Sequence, residues 1–191
     1  MLLLIHGAKR SGKDTFAGIL KELVPESKVH SFADPLKEII SKTFSISLEV
    51  LDKLKNTEDL KIVFESPTEK YTTKLNMRNI LQNFGTEGMK PIFGDAVWAD
   101  LLKSKYDAYN NNDILVSVPD FRVPEEFGSL SKSSTSDIVT VKIERPGLES
   151  NDYHITENGL KDFKFDYIVL NDGTLDDLRA EAVAFLDYLQ V

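Results

Sequence analysis

The sequence has no cysteine and only three histidines among its 191 residues. Without cysteine, disulfide scaffolds, cysteine-ligated zinc, iron–sulfur clusters and thiol nucleophiles are excluded. Three histidines also leave little room for a histidine-rich metal site. A magnesium ion held by oxygen ligands is still compatible with this composition.

Long apolar runs and an excess of positive charge are missing as well. The apolar run at residues 1–5 is too short to span a membrane and follows no basic segment, so we expect no membrane anchor, no signal peptide and a cytoplasmic location. The 31 acidic and 23 basic residues give a net charge of −8. Because a nucleic-acid backbone is itself negative, we expect small molecules as partners, with neither nucleic acid nor a membrane.

The rest of the composition is that of an ordinary folded domain. Apolar residues make up 41% and charged residues 28% of the chain, close to the averages for soluble globular proteins. The length fits one core with a small insertion better than two full domains. We therefore predict a single domain over residues 1–191.

Short apolar runs alternate with helical patterns along the chain. Residues 2–6 form an apolar run that ends at a glycine, and Asp34 followed by Pro35 is typical of a helix start with Asp as the N-cap. This alternation predicts a three-layer α/β fold, with a mainly parallel sheet of about five strands, helices on both faces and ligands at the carboxyl ends of the strands. The predicted strands are 2–6, 29–32, 114–118, 138–143 and 167–170; the predicted helices are 13–24, 34–44, 48–54, 75–88, 93–105 and 175–189; residues 45–76 are mixed and partly extended, and 129–136 form a serine-rich loop.

A G-x-x-x-x-G-K motif lies between the first predicted strand and the first predicted helix. In a phosphate-binding loop, or P-loop, the backbone N–H groups face the phosphates and the helix N-terminus adds partial positive charge. The lysine reaches the β- and γ-phosphates. The strand before the motif and the helix after it favour a P-loop over a simple glycine turn. The residues expected to bind the phosphates of a nucleotide are Gly7, Lys9, Arg10, Ser11, Gly12, Lys13, Asp14 and Thr15.

The motif departs from the general P-loop pattern at the position after the lysine. Asp14 stands where Ser or Thr is usual, and Thr15 follows one residue later. Either the Asp14 carboxylate binds magnesium or the Thr15 hydroxyl contacts the metal or the α-phosphate. An acidic residue in the first turn of a helix is also favoured by the helix dipole alone, and this alternative stays open.

Arginine is scarce, with five residues against 18 lysines, and most arginines lie in or beside predicted loops. Planar, bidentate recognition of phosphate suits arginine, so a phosphoryl-transfer enzyme would place its arginines in this way. Asp120 ends a buried strand and is followed closely by Arg122. Asp120 can hold the magnesium hydration shell or a substrate hydroxyl, and Arg122 can neutralise charge on the transferred group. The alternatives are solvated charges for the arginines and a turn with an N-cap for Asp120.

Further motifs follow the P-loop in a fixed order over residues 2–178. Together they resemble the deoxynucleoside monophosphate kinases encoded by bacteriophages. The resemblance implies a P-loop kinase that transfers the γ-phosphoryl group of ATP to a deoxynucleoside 5′-monophosphate with Mg²⁺, acting in the host cytoplasm if it is encoded by a phage. The motifs are Gly12 to Thr15, Phe32 to Lys37, Arg78 with Leu81, Gln82 and Gly85 to Glu87, Trp98, Asp120 to Arg122 with Glu126, and Asn171 to Thr174.

The resemblance also assigns roles to individual residues. Lys13, Arg122 and Asp120 would be catalytic, Asp14 and Thr15 would contact the metal, and Arg145 and Asn171 would join the P-loop in binding ATP. The residues implied for the acceptor nucleotide are Asp34, Lys37, Arg78, Gln82, Gly85, Thr86, Trp98, Asp120, Arg122 and Glu126. Competing interpretations are a core position for Trp98, a helix start for Asp34 and a turn with an N-cap for residues 171–174.

Two segments outside the P-loop are expected to control access to the substrates. The resemblance places an acceptor-side helical insertion at about residues 45–105 and a lid-like segment at about 145–158, where Arg145 and His154 are the only candidate cations. Such segments keep water out of the reaction. Asn79 stands where some relatives carry a second basic residue next to Arg78.

The expected chemistry is direct in-line transfer without a covalent enzyme intermediate. Two other functions stay open at this point. One is a P-loop kinase of another small acceptor, such as an enzyme like dephospho-coenzyme A kinase, and the other is a module that uses ATP as a switch for a protein partner. The sequence does not identify the preferred base, the strictness of selection for deoxyribose or whether the chain forms a homodimer.

Overall fold

The computed structural model describes residues 1–57, 61–65, 72–107, 114–133, 137–148 and 159–191. The chain divides into two compact units, one formed by residues 1–32 with 99–191 and the other by residues 33–98. In chain order the elements are β1 (Leu2–His6), α1 (Lys13–Leu23), β2 (Lys28–Val29), α2 (Asp34–Phe44), α3 (Leu48–Lys55), β3 (Lys61–Glu65), β4 (Thr72–Asn76), α4 (Met77–Gln82), a π-helix (Asn83–Met89), α5 (Lys90–Phe93), α6 (Val97–Asp107), β5 (Val116–Val118), α7 (Pro124–Ser133), β6 (Ile138–Glu144), β7 (Tyr167–Leu170) and α8 (Leu175–Leu189).

The first unit contains a five-stranded sheet in the order β2-β5-β1-β6-β7, and its strand pairings are parallel. β1 lies in the middle, which explains why its sequence is an uninterrupted apolar run. Leu3 and Ile5 share a core cluster with Phe16 of α1 and Phe185 of α8, and the rings of the two phenylalanines lie 5.8 Å apart between centroids. The predicted α/β fold with about five mainly parallel strands is confirmed.

The carboxyl ends of the parallel strands bring four connecting segments to one edge of the sheet. These segments are residues 7–12 after β1, 119–123 after β5, 145–148 after β6 and 171–174 after β7. Ligands of open α/β sheets bind at this edge. The fold therefore places the P-loop, the segment with Asp120 and Arg122, the start of the lid-like segment and the Asn171 turn along a common edge of the first unit.

The second unit consists of helices and a separate β-hairpin. β3 and β4 pair antiparallel, from Lys61 opposite Asn76 to Glu65 opposite Thr72. Asn76 then caps α4, because its side-chain oxygen accepts a hydrogen bond from the Asn79 amide at 2.8 Å. Among the residues of this unit whose burial is described, the buried apolar side chains come from α2, α3, α4 and α6, and they are Leu36, Ile40, Leu51, Met77, Ile80, Leu81, Val97 and Trp98. None of the described helices combines the length and apolar content needed to cross a bilayer.

The largest differences between prediction and structure concern three elements. The second strand ends at Val29 instead of residue 32, because Ser31 and Phe32 hydrogen-bond to the Asp120 carboxylate instead of continuing the ladder. The predicted helix 75–88 begins at Met77 and changes to a π-helix after Gln82. The predicted serine-rich loop at 129–136 is helical up to Ser133, since Leu130 is buried and anchors α7 to the core.

One smaller difference concerns a helix start, whereas the mixed stretch after that helix agrees with its prediction. Ala33 occupies the N-cap of α2, so Asp34 is the first helical residue and not the cap. The mixed stretch 45–76 contains α3 as predicted, and its extended part is the β3–β4 hairpin. Residues 66–68 and most of the lid-like segment, including His154, lie outside the described residues.

Candidate functional site

The P-loop wraps tightly between β1 and α1. Gly12 has φ 98° and Arg10 has φ 68°, so two residues of the loop adopt the left-handed conformation that turns successive N–H groups toward one side. The amide of Ser11 donates to the carbonyl of Ala8 at 3.0 Å. A Cβ atom at Gly7 would lie 3.0 Å from the carbonyl oxygen of Ile143 and would also collide with the Ser11 hydroxyl. Glycine is therefore required at both motif positions.

The loop has the properties of an anion cradle. Ser11 is 1% exposed, and its hydroxyl has no hydrogen-bond partner among the described residues. Lys13 is the first residue of α1, at the positive end of the helix dipole. Its Nζ lies 3.5 Å from the Asp14 carboxylate, and the Asp14 side chain is 80% exposed. These groups fit a phosphate chain that would engage the Lys13 ammonium.

The donor set near the P-loop also fits a magnesium ion held mainly by phosphates and water. Asp14 and Thr15 are exposed in the first turn of α1 and offer a carboxylate and a hydroxyl. Among the described residues, no group of three or more histidine, cysteine, aspartate or glutamate side chains forms a cage for a metal. Magnesium commonly binds through one or two protein oxygens plus substrate phosphates, so a full protein cage is not needed.

Asn171 ties the P-loop to the last strand of the sheet. Its Nδ2 donates to the Ser11 carbonyl at 2.7 Å, and its backbone N–H donates to the Glu144 carbonyl at 2.7 Å. The side chain is 7% exposed. The side-chain contact of Asn171 is therefore with the backbone of the P-loop, which carries the implied ATP site.

The turn after Asn171 is closed by a capping box at the start of α8. The Thr174 hydroxyl accepts from the Asp177 amide at 3.3 Å, and the Asp177 carboxylate accepts from the Thr174 amide at 2.7 Å. The backbone hydrogen bond from Thr174, followed by the bond from its hydroxyl, lowers the pKa of Asp177. The interpretation of residues 171–174 as a turn with an N-cap agrees with this geometry.

The segment after β5 is fixed by its side chains. The Asp120 carboxylate accepts from the Ser31 hydroxyl at 2.5 Å and from the Phe32 amide at 2.9 Å. Glu126 is 6% exposed, and its Oε2 accepts from the amides of Arg122 and Val123 at 2.9 and 3.2 Å. The Arg122 side chain is exposed between these two anchored carboxylates.

A cavity of about 430 Å³ lies beside the P-loop at the ends of β1, β6 and β7. It is lined by His6 and Gly7 and by residues 142–148, where the lid-like segment begins. Arg145 lines this cavity, and its guanidinium donates to the Arg10 carbonyl at 3.5 Å. The structure thus places Arg145 against the P-loop, where the resemblance implies an ATP contact.

The acceptor residues implied for the second unit divide into exposed and buried groups. Arg78 and Gln82 are exposed one turn apart on α4, and Thr86 is exposed on the π-helix. Lys37 forms a 2.8 Å ion pair with Asp52, and Asp34 begins α2.

Gly85 and Trp98, also implied for the acceptor nucleotide, form a buried pair within the second unit. The Trp98 indole N–H donates to the Gly85 carbonyl at 3.1 Å, and Trp98 is 7% exposed. A Cβ at Gly85 would lie 2.7 Å from Cδ2 of Leu36. Trp98 thus has the burial that its interpretation as a core residue requires.

Sequence reasoning missed two contributors to the site. His6 Nδ1 lies 3.0 Å from the Phe121 carbonyl, and its ring stacks on Phe165 with centroids 5.5 Å apart. Phe163 and Phe165 pack edge-on against Phe121. The available signals were the position of His6 directly before the P-loop and the alternation of Phe163 and Phe165 around a lysine.

Comparison with known proteins gives related sequences over most of the chain. A family model described as deoxynucleotide monophosphate kinase matches residues 50–182. The chain is 28% identical over 155 residues to the deoxynucleotide monophosphate kinase of Enterobacteria phage T4, a match that covers 81% of this chain and 56% of the phage protein. It is 30% identical over 107 residues to the enzyme of the same name from Escherichia phage RB69, covering 56% of this chain and 43% of that protein. The chain thus spans about half the length of these two phage relatives.

A third relative and two solved structures match over nearly full length. A protein of Acanthamoeba polyphaga mimivirus is 26% identical over 198 residues, covering 98% of this chain and 96% of its own. The crystal structure of TT1252 from Thermus thermophilus has a TM-score of 0.55 at 18% identity, covering 99% of this chain and 97% of that one. Dephospho-CoA kinase from Campylobacter jejuni has a TM-score of 0.51 at 19% identity, covering 98% and 96%. At these identities the two structures indicate the fold alone.

Proposed function

Because this chain belongs to the deoxynucleotide monophosphate kinase family, we propose that it transfers the γ-phosphoryl group of ATP to a deoxynucleoside 5′-monophosphate. The products are ADP and the deoxynucleoside diphosphate. The observation that carries this proposal is the P-loop, with its left-handed turns at Arg10 and Gly12 and the unpartnered, buried hydroxyl of Ser11. A phosphate chain supplies the acceptor that this hydroxyl lacks.

Lys13 is proposed to neutralise charge on the β- and γ-phosphates. Its place at the start of α1 adds the partial positive charge of the helix end to its own ammonium. In the structure this ammonium lies 3.5 Å from Asp14. When the phosphates bind, the Lys13 ammonium therefore exchanges the Asp14 carboxylate for the more highly charged phosphate chain. The exposed Asp14 carboxylate is then available to the metal.

Magnesium, when bound, would withdraw negative charge from the transferred group. Asp14 and Thr15 are the residues proposed to hold it, directly or through water. No strong general base is needed, because an acceptor phosphate oxygen is already anionic at neutral pH. Catalysis then rests on positioning and on the positive groups around the transferred phosphoryl, which are Lys13 and Arg122.

The acceptor nucleotide is proposed to bind through the exposed stripe on α4 and the π-helix. Arg78 and Gln82 lie one turn apart, and Thr86 follows on the same continuous helical segment. The Arg78 guanidinium can donate two parallel hydrogen bonds to the acceptor phosphate. The Gln82 side-chain amide and the Thr86 hydroxyl can hydrogen-bond to the sugar or the base. Arg145 and the cavity beside the P-loop are proposed for the ATP side.

Acceptor-dependent release of ADP tests this function. ATP and magnesium are supplied with each of the four common deoxynucleoside monophosphates, their ribose counterparts and dephospho-coenzyme A, and Lys13→Ala serves as the inactive control. Strong stimulation by one or more deoxy acceptors supports the proposal and gives the base preference. Stimulation by dephospho-coenzyme A alone would identify a kinase of another acceptor. Slow release of ADP at the same rate with and without every acceptor would favour an ATP-dependent switch.

A further inference from the structure

Glu126 is a buried carboxylate whose Oε2 oxygen is bonded to the backbone. It is 6% exposed, and it accepts hydrogen bonds from two consecutive amides, those of Arg122 at 2.9 Å and Val123 at 3.2 Å. Burying a carboxylate is costly unless hydrogen bonds compensate for the lost water. Bonds to charged acceptors are among the stronger ones in proteins. Glu126 therefore fixes the backbone at Arg122 and just after it.

The backbone just before Arg122 is fixed to the strand that leads into the P-loop. The Phe121 amide donates to the Ile5 carbonyl at 3.3 Å. The Phe121 carbonyl accepts from Nδ1 of His6 at 3.0 Å; because a carbonyl can only accept, this nitrogen carries the proton. His6 directly precedes Gly7, the first residue of the P-loop. The Phe121 ring is itself 1% exposed.

Arg122 thus lies between two anchored points, with its own side chain exposed. If the backbone around Arg122 were flexible, it would have to become ordered in each catalytic cycle, and this ordering would cost conformational entropy. Anchoring the backbone on both sides removes that part of the cost before substrate binds. Supporting bonds of this kind are what hold a functional side chain within a fraction of an ångström of its working position.

We propose that Glu126 is a positioning residue for Arg122: its carboxylate acts as a hydrogen-bond acceptor that holds the 120–126 segment, with no direct contact to either nucleotide. This inference rests on the proposed function, in which Arg122 neutralises the transferred phosphoryl group. It replaces the role that the resemblance implies for Glu126, a contact with the acceptor nucleotide. The two roles differ in what they need from the side chain, since positioning needs an acceptor oxygen and no charge.

Two substitutions of Glu126 separate the roles. Glu126→Gln keeps an acceptor oxygen but removes the charge, so we expect kcat within about threefold of the wild type. Glu126→Ala removes the acceptor, and we expect kcat to fall ~10- to 100-fold with an unchanged KM for ATP, because misplacement of a charge-stabilising group by about 1 Å is costly on this scale. The matched control is Glu125→Ala, which removes the neighbouring exposed carboxylate of α7 and is expected to keep full activity. Equal losses in the Gln and Ala variants would overturn the proposal.

A double-mutant cycle tests whether Glu126 acts through Arg122. Arg122→Ala alone is expected to lower kcat by ~10³, the scale on which a charge-stabilising arginine acts in phosphoryl transfer. If Glu126 only positions this arginine, Glu126→Ala adds less than about threefold to that loss. If the double variant instead loses kcat by the product of the two single losses, Glu126 acts independently of Arg122 and the proposal is contradicted.

Amide hydrogen exchange tests the positioning without any reference to catalysis. In the wild-type protein, we expect the amides of Arg122 and Val123 to exchange slowly although both precede α7. Exchange at the rate of an unprotected amide would contradict the proposal, and this measurement needs no variant to fold. If the wild type phosphorylates no deoxynucleotide, the proposed function fails while slow exchange still supports the fixed backbone. The two failures are therefore distinguishable.

Discussion

The side-chain amide of Asn171 donates a 2.7 Å hydrogen bond to the backbone carbonyl of Ser11. This bond joins the turn after the edge strand β7 to the middle of the P-loop. Gly12 allows this contact, because a Cβ at that position would collide with the Asn171 amide. The shape of the P-loop therefore depends on a residue 160 positions away in the chain.

Asn171→Ala tests this connection. The loss of a buried hydrogen bond leaves the Ser11 carbonyl without this partner, so we expect the protein to lose about 1 kcal/mol of stability. We also expect a several-fold weaker affinity for ATP, because the loop is less well fixed. Calorimetric titration with ATP and thermal unfolding measure the two effects. The control is Asp172→Ala, at the exposed neighbouring position; an equal loss of ATP affinity there would contradict the assignment.

Lys13→Ala is expected to abolish turnover while the fold is kept. The substituted position is the first residue of α1, where alanine is a good helix former, so the far-UV circular dichroism should match the wild type. Removal of the exposed Lys161 ammonium by Lys161→Ala provides a control for the change in net charge. Wild-type turnover in Lys13→Ala would remove this lysine from the mechanism.

Arg78→Ala is expected to raise the KM for the monophosphate by at least tenfold and to leave the KM for ATP unchanged. Arg78 is exposed on α4, so its loss should not disturb packing. Asn79→Ala, at the next exposed position of the same helix, is the matched control. Steady-state kinetics with each substrate varied in turn gives both constants. A change confined to the KM for ATP would refute the placement of Arg78 on the acceptor side.

Trp98→Phe is expected to loosen the π-helix. The phenyl ring retains much of the apolar contact but cannot donate to the Gly85 carbonyl, so stability should fall by about 1 kcal/mol. Gly85→Ala should destabilise the protein more, since its Cβ would lie 2.7 Å from a Leu36 methyl group. In Gly88→Ala the nearest atom is the Asn83 carbonyl at 3.4 Å, so this control should be tolerated better. Chemical denaturation of the three variants ranks them, and equal stability of Gly85→Ala and the wild type would contradict the close packing.

The capping box of α8 predicts a pH-dependent contribution to stability. Hydrogen bonds from Thr174 lower the pKa of Asp177 in the folded state. At a pH between the folded and the unfolded pKa value, the unfolded chain therefore binds more protons at this carboxylate than the folded protein does. The contribution is therefore complete above the ordinary aspartate pKa of about 3.9 and is lost as the pH falls through the lower folded value.

Thermal unfolding of Asp177→Ala and the wild type at several pH values measures this contribution. The difference in Tm should be present at pH 7 and should shrink below about pH 4. Asp176→Ala, in the same first turn of α8, provides the control for the helix dipole. A difference that is constant over this pH range would contradict the role of the carboxylate.

The sequence predicted the parts of the fold that depend on local pattern. The apolar run of β1, the P-loop and the amphipathic helix after it are all visible within the first 24 residues. The parallel pairing of the sheet follows from the alternation of strands and helices. For these elements, each residue's neighbours in sequence determine its conformation.

The missed features depend on partners far away in the chain. β2 stops at Val29 because Ser31 and Phe32 bind a carboxylate about 90 positions later. The π-helix is accompanied by the bond between the Gly85 carbonyl and Trp98, and α7 extends through its serines because Leu130 is buried. Sequence reasoning placed Asp120, Arg122 and Glu126 in one segment, but the backbone bonds that fix that segment became visible only in the folded chain.

Transfer of labelled phosphate tests the central claim most directly. The protein is incubated with magnesium, ATP labelled at the γ-position and one deoxynucleoside monophosphate at a time, and the nucleotide products are separated. We predict label in the deoxynucleoside diphosphate for the wild type and none for Lys13→Ala. Label found only in inorganic phosphate, at the same rate with and without every acceptor, would contradict the account.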